Sequence, residues 1–290
     1  MRNHNAFSSS FSQTNSQCTT ATFSQDSACE YSGRGLSYSS GTKTFKYVEF
    51  TSCIASDDHG GAIKCTGANT ELIVTKCTFT DCHANDPSTQ RGGGIYAQSI
   101  KSVTTLSCFF TSCSGFWGGG FYINLITSTP DFSDCVFTSC RGYDHGAGAF
   151  VGRFTQTSFV ACNTCLFLSC TNYSSTSTLS GGGFYLDIYT STHVNTVSNV
   201  LFTKNSVNSQ GGGLRIYEDE MNLDYSLRFC VFSSNTAPAS GQDIALRRIT
   251  FNFLLHCHTK SDAPDRLYLF ETVFKTGSST DTTQTPNWLP

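Results

Sequence analysis

The feature that most constrains this chain is a two-part block that recurs along it. The first part reads V/C-x-F-x-x-C/N; after a gap of variable length comes G-G-G-Φ-x-Φ, where Φ is apolar. The phenylalanine falls at Phe50, Phe79, Phe110, Phe137, Phe167, Phe202 and Phe232, in steps of 29, 31, 27, 30, 35 and 30 residues. Two residues before it stand Val48, Cys77, Cys108, Cys135, Cys165, Val200 and Cys230; three after it stand Cys53, Cys82, Cys113, Cys140, Cys170, Asn205 and Asn235. The second part reads GGAIKC at 60–65, GGGIYA at 92–97, GGGFYI at 118–123, GAGAFV at 146–151, GGGFYL at 181–186, GGGLRI at 211–216 and GQDIAL at 241–246. Residues 33–38, GRGLSY, with Phe23 before them, read as a degenerate eighth copy. A fixed period of this length is the mark of a solenoid.

Within each part apolar side chains alternate, as in a short strand with one buried face. A unit that small cannot bury its own apolar face, so copies must stack at strand spacing, roughly 4.8 Å apart. The predicted fold is all-β: a right-handed parallel β-helix of about 7–8 coils of about 30 residues. A helical solenoid is excluded by three consecutive glycines per repeat, each costing a helix roughly 1 kcal/mol. The repeat divides the chain into an N-terminal cap with a possible degenerate coil at 1–47, β-helix repeats at 48–246, and a C-terminal cap with a polar tail at 247–290. Asn at the turn position is expected to adopt a left-handed conformation and to bond backbone groups, a bonding that Cys should not reproduce.

Charge narrows the partners. Charged residues make up 13% of the chain, the net charge is −3, and no basic run exceeds Arg247-Arg248, so nucleic acid is not an expected partner. No stretch is long and apolar enough to span a bilayer, and Met1 to Gln17 lacks the apolar core of a secretory signal. The expected location is extracellular or at the cell surface, as part of a longer exported protein, with the cytoplasm as the alternative. The sequon Asn172-Tyr173-Ser174, placed in a long loop, leans towards export.

GGAI at Gly60–Ile63 and FxxN at Phe202–Asn205 and Phe232–Asn235 give a resemblance. The chain resembles the pectin-lyase-like superfamily of β-helices. More narrowly, it is similar over residues 48–246 to the repeats of chlamydial polymorphic outer membrane proteins and to cysteine-rich repeat families of some anaerobic protists. The resemblance implies a surface protein with a role in adhesion. Five of the seven copies carry Cys where that pattern has Asn, and residues 247–290 are not expected to form the membrane barrel of that pattern.

The fifteen cysteines fall largely into two columns. They fill the core as small buried thiols, or some join neighbouring coils as disulfides in an oxidising compartment. Cys162-x-x-Cys165 and His256-Cys257-His258 lack a second pair at zinc spacing, so no metal and no cofactor are expected. Hydrolysis or elimination on this fold needs acids converging on one face. Asp58-His59 and Asp144-His145 repeat a tempting pair but lie three coils apart, about 14 Å at strand spacing. No catalytic residue is therefore assigned, and the enzyme alternative rests on whether any two of Asp57, Asp86, Asp131, Asp134 and Asp144 meet in a groove.

The fifth position of the glycine block runs Lys64, Tyr96, Tyr122, Phe150, Tyr185, Arg215 and Ala245; the residue before the glycines runs His59, Arg91, Trp117 and His145. If the fourth and sixth positions point inward, Tyr96, Tyr122, Phe150 and Tyr185 form an outward aromatic strip beside Trp117 and Arg91. Such a strip either stacks a ligand or lies under loops. The reading is a non-enzymatic surface or secreted module for adhesion or recognition, its partner a glycan or a cell-surface protein. A polysaccharide lyase or hydrolase, and a structural spacer, are the alternatives. Oligomeric state is left open.

Overall fold

The computed structural model describes residues 29–56, 58–86, 88–128, 130–154, 161–173, 181–188, 195–218, 224–238, 241–247, 250–255, 258–260, 267–270 and 273–274. They contain strands and no helix, and every strand pairing among them is parallel. The right-handed parallel β-helix is the fold of the chain.

Three sheets run the length of the rod. The phenylalanine sheet begins at Cys29–Arg34 and Val48–Ala55, continues through Thr78–Thr80, Phe109–Thr111, Val136–Thr138, Leu166–Leu168, Leu201–Thr203 and Val231–Ser233, and reaches His258–Lys260. The glycine sheet has nine strands, from Leu36–Tyr38 and Ile63–Thr66 to Ile244–Arg247 and Leu267–Phe270. The third sheet also has nine, from Gly41–Lys46 and Thr70–Thr75 to Thr250–Leu255 and Val273–Phe274. This third sheet follows no repeated motif. Its inward residues are as varied as Val74, Val103, Phe132, Cys162, Val197 and Leu227, which is why the repeat shows only two strands per coil. Val48–Ala55 is long enough to start a further row, of short strands at His83–Ala84, Ser114–Trp117, Arg141–His145 and Thr171–Asn172.

Register follows the repeat. Phe50 pairs with Phe79, Phe79 with Phe110, and so on to Phe202 with Phe232. Their rings lie 4.8, 4.7, 4.8, 4.7, 5.1 and 4.8 Å apart, with planes within 8° of parallel. Those distances exceed the 3.5–4.0 Å of direct carbon contact, so the rings are stacked with an offset, the arrangement their quadrupoles favour.

The pairing also runs past both expected boundaries. Leu36 pairs with Ile63 and Tyr38 with Cys65, so the degenerate copy forms a level of its own. Beyond residue 246, Thr250–Leu255, His258–Lys260, Leu267–Phe270 and Val273–Phe274 extend all three sheets. Neither 47/48 nor 246/247 marks a change in strand pairing; residues 1–28 and 275–290 of the expected caps lie outside the described residues.

The corners correct one expectation. The left-handed residue is the one before each column, not the column residue. Ser52, Asp81, Ser112, Ser139, Ser169, Lys204 and Ser234 have φ of 50–55°, as do Tyr47, Lys76, Ser107, Asp134, Thr164, Asn199 and Phe229 at the corner before the other column. The column side chains then point into the core. Asn205 Nδ2 donates to the carbonyl of Phe167 at 2.9 Å, and Asn235 Nδ2 to that of Phe202 at 3.0 Å. The thiols do the same one coil after another: Cys82 to Phe50, Cys113 to Phe79, Cys140 to Phe110 and Cys170 to Phe137, at 3.4–3.6 Å. Cys therefore reproduces the donor half of the Asn bonding. It lacks the acceptor half, shown by Asn205 Oδ1 receiving the Cys170 amide at 3.0 Å. The other column repeats the pattern, with Cys108, Cys135, Cys165 and Cys230 donating to Val74, Thr105, Phe132 and Val197. All twelve cysteines whose side chains are described are buried free thiols.

Each glycine of the triplet has its own reason, visible at 118–120. Gly118 has φ +66°; a Cβ on Gly119 would lie 2.4 Å from the carbonyl oxygen of Ala147 in the next coil; one on Gly120 would lie 2.6 Å from Cδ1 of Phe137. The triplet lets the next coil's backbone and phenyl ring close to strand distance. Gly120→Ala should lower stability by about 1–3 kcal/mol, the range for overpacking. Chemical denaturation measures this, and an unchanged midpoint would mean the phenyl ladder yields more easily than described.

Burial pushes the Cys65 thiol up to about 12, and it also raises Cys113 and Cys140 well above the ordinary value. In the unfolded chain these thiols ionise near pH 8.5. Their contribution to stability is therefore full below that pH and is lost as pH rises towards the folded values, because the unfolded state sheds protons first. The thermal midpoint should fall steadily above about pH 8.5. A midpoint that is level from pH 8 to 10.5 contradicts the buried-thiol account.

Candidate functional site

The fifth-position side chains do turn away from the main core, onto the outer face of the glycine sheet, where Tyr96, Tyr122, Phe150 and Tyr185 make a separate cluster. Their rings stack at 5.2, 4.9 and 5.3 Å. They are not, however, an exposed strip: Tyr122 is 0% exposed and Tyr185 2%. The segment between the cysteine column and the glycines folds back over them. The irregular register between Ser114–Trp117 and Arg141–His145 aligns Trp117 with His145 in this covering layer.

Each covering residue reaches the ring of the next coil. His59 stacks on Tyr96 at 4.3 Å, Trp117 on Phe150 at 5.3 Å, and His145 on Tyr185 at 4.8 Å. The Arg91 guanidinium sits 4.0 Å from the Trp117 ring and 5.3 Å from that of Tyr122, and its Nη1 donates to Tyr122 Oη at 3.3 Å. Tyr122 Oη also accepts from Asn124 Nδ2 at 2.8 Å, while the Tyr96 hydroxyl donates to Gln98. Burial raises the Tyr96 phenol to about 12 and lowers the His59 imidazole, against the opposing pull of Asp58. The six residues expected to bind, Tyr96, Tyr122, Phe150, Tyr185, Trp117 and Arg91, are thus brought together as a second packed layer, with Trp117 and Arg91 at its partly exposed rim.

The acids are each held locally. Asp58 pairs with Lys64 Nζ at 2.7 Å. Asp86 accepts from Ser88 and Thr89. Asp144 Oδ2 accepts the Trp117 indole N–H at 2.9 Å and lies 3.5 Å from His145 Nε2. Asp131, in the third sheet, accepts from Ser133, and Asp134 sits at the following corner. Asp57 and His256-Cys257 lie outside the described residues. Among the described residues no group of three or more His, Cys, Asp or Glu side chains could hold a metal ion.

Asn172 lies in a strand of the short row, not in a loop. Its side chain is 1% exposed, and its amide donates to the carbonyl of Asp144. Glycosyl transfer needs that nitrogen at the surface, so the sequon is closed in the folded chain.

An exposed aromatic column does exist, one that the repeat pattern passed over. Along the short row the inward residues are small or amide-bearing, Gly115, Gly142 and Asn172, while Ser114, Arg141 and Thr171 point out and pair in register. Two residues on, on the same outward face, stand Tyr143 and Tyr173, one per coil, while Phe116 of the coil before is part-buried and stacks on Trp117 at 5.9 Å. Tyr143 is 41% exposed and Tyr173 49%. The signal was available three residues after Cys113, Cys140 and Cys170, but the variable gap that begins there hid it.

Tyr122→Ser should cost about 3–5 kcal/mol, the range for emptying a buried aromatic site. Tyr143→Ser should stay within about 0.5 kcal/mol, as exposed substitutions do. Comparing the two denaturation midpoints decides between a packed layer and a binding strip at the fifth position.

No curated protein and no solved structure matches the chain. The family model described as a right handed beta helix region matches residues 12–188. More than half of the sequence thus fits that model, its pairing is parallel throughout the described strands, and the chain belongs to the right-handed β-helix family.

Proposed function

We propose that the chain is a non-enzymatic recognition module of the cell surface or exterior, a rigid rod that binds glycan along the outward face of its short-strand row. The observation that carries this reading is what that face presents: the exposed Tyr143 and Tyr173 on successive coils, beside the in-register Ser114, Arg141 and Thr171. Aromatic faces beside hydroxyl and guanidinium donors suit sugar rings, whose two faces are apolar and whose edges carry hydroxyls. Among the described residues Tyr143 and Tyr173 have no ring partner, so their faces are open to stacking.

Size favours a sugar over a protein. Three coils at about 4.8 Å and two residues of strand at about 3.3 Å each give a face on the order of 100 Å². A specific protein interface takes about 800 Å² from each partner. The local holding of Asp58, Asp86 and Asp144 supports binding without turnover. The resemblance to adhesive surface repeats points the same way.

The purified chain should bind members of a polysaccharide panel without releasing reducing or unsaturated sugar. Joint Tyr143→Ala and Tyr173→Ala substitution should weaken binding at least about tenfold, equivalent to about 1.4 kcal/mol, with the thermal midpoint unchanged. Sugar release overturns the non-enzymatic reading, and binding that survives both substitutions overturns the placement on this face.

A further inference from the structure

Recognition of a glycan uses Ser114 and Arg141 as hydrogen-bond donors and leaves unused what stands on the other side of Ser114. The residue after each cysteine of the first column faces outward and runs His83, Ser114, Arg141, Thr171 from coil to coil. His83 pairs in register with Ser114, and Ser114 with Arg141. His83 Nδ1 lies 2.7 Å from Ser114 Oγ, and its Nε2 lies 2.9 Å from Asp81 Oδ1. Asp81 reaches the ring from the corner just before it, where its φ is 55°.

A carboxylate only accepts, so in the neutral ring Nε2 carries the hydrogen and Nδ1 is left to accept from the Ser114 hydroxyl. A serine, a base and the group that fixes the base's tautomer thus stand in hydrogen-bonded series. In serine hydrolases the two ring nitrogens play the opposite parts, but such sets are recognised by geometry and role, and either nitrogen can take a proton. Arg141 supplies the other side of the serine: an exposed guanidinium borne one coil away, about 4.8 Å at strand spacing, to face the negative charge of an acyl intermediate. The set is open to solvent, with the imidazole 28% and the Asp81 carboxylate 56% exposed.

We infer that Ser114 is a nucleophile that takes the acyl group of a carboxylic ester. Ser114 Oγ attacks the ester carbonyl as His83 Nδ1 takes its proton, and the oxyanion forms beside Arg141. Collapse breaks the bond to the alkoxy oxygen, which leaves as the alcohol with the proton from His83. Ester and serine thus become alcohol and acyl-serine, and no other reactant is needed. Asp81 touches neither the ester nor the serine; it is a positioning residue that holds the tautomer of His83. The step requires no sugar, so it stands or falls separately from glycan binding.

The full chain is incubated with a fluorophosphonate, or with p-nitrophenyl acetate, and the adduct is located by tandem mass spectrometry. An adduct on Ser114 is expected, and Ser114→Ala should abolish it. His83→Ala should slow its formation at least about a hundredfold, the lower range for a general base. Added imidazole should rescue that variant, which a merely structural role for His83 would not allow. Arg141→Met should slow it about tenfold, less than for a donor in a closed oxyanion hole because water and salt screen the charge. Asp81→Asn, which a left-handed corner tolerates, should slow it too and move the ring hydrogen of His83 to Nδ1, read from the nitrogen NMR shifts of the imidazole. Absence of an adduct on Ser114 in the unsubstituted chain, or a rate indifferent to His83→Ala, overturns the proposal. Release of p-nitrophenol beyond the first equivalent, lost in Ser114→Ala, upholds it and overturns the non-enzymatic reading instead.

Discussion

Neighbouring coils can approach only as closely as their backbones allow, and the whole rod depends on that one distance. Parallel strands in register bring equivalent atoms together every 4.8 Å or so, and the phenyl rings from Phe50 to Phe232 record the spacing directly. A side chain that stacks well on its own copy is favoured at every level; one that does not must be small. Phenylalanine satisfies the first condition by offset stacking. Glycine satisfies the second where Gly119 meets a backbone carbonyl and Gly120 a phenyl edge. Cysteine is small, and its thiol reaches the carbonyl of the coil before.

Self-stacking also explains which parts of the fold were legible in the sequence. A position that must stack on itself repeats its residue, so the phenylalanine, cysteine and glycine columns could be read directly. The third sheet packs on whatever the other two leave, with Phe132 in one coil and Cys162 in the next. Its strands carry no common letter and were invisible. The corners were half legible: serine is frequent before the column, but Lys204 and Phe229 take the same left-handed conformation. There the geometry is imposed by the coil, not by the local residue.

The site shows the same division more sharply. Period-two alternation placed Tyr96, Tyr122, Phe150 and Tyr185 on the outer face of their sheet, and they are there. What alternation could not say is whether a face turned from the core meets water. That depends on a segment of variable length folding back, which His59, Trp117 and His145 do through ring contacts one coil further on. The same variable segment carries the exposed column of Tyr143 and Tyr173, and the loss of fixed spacing that hid the cover hid this column too.

A second layer of this kind changes what the rod can do. A single parallel sheet exposes its outer face along its whole length, and recognition would be spread evenly over it. Covering the glycine sheet with Trp117, Arg91 and His145 removes that face from solvent at the middle coils. Among the described residues Tyr143 and Tyr173 stay open on the row where Gly115, Gly142 and Asn172 turn inward. That inward turn is why Tyr143 and Tyr173 must face out: with strand period two, a buried residue puts its neighbours on the other side. The exposed column thus follows from the packing beneath it. A ligand there would meet rings carried one per coil on a backbone with little freedom to adjust, so selectivity would come from a match along the rod axis, not from closing a pocket around the ligand.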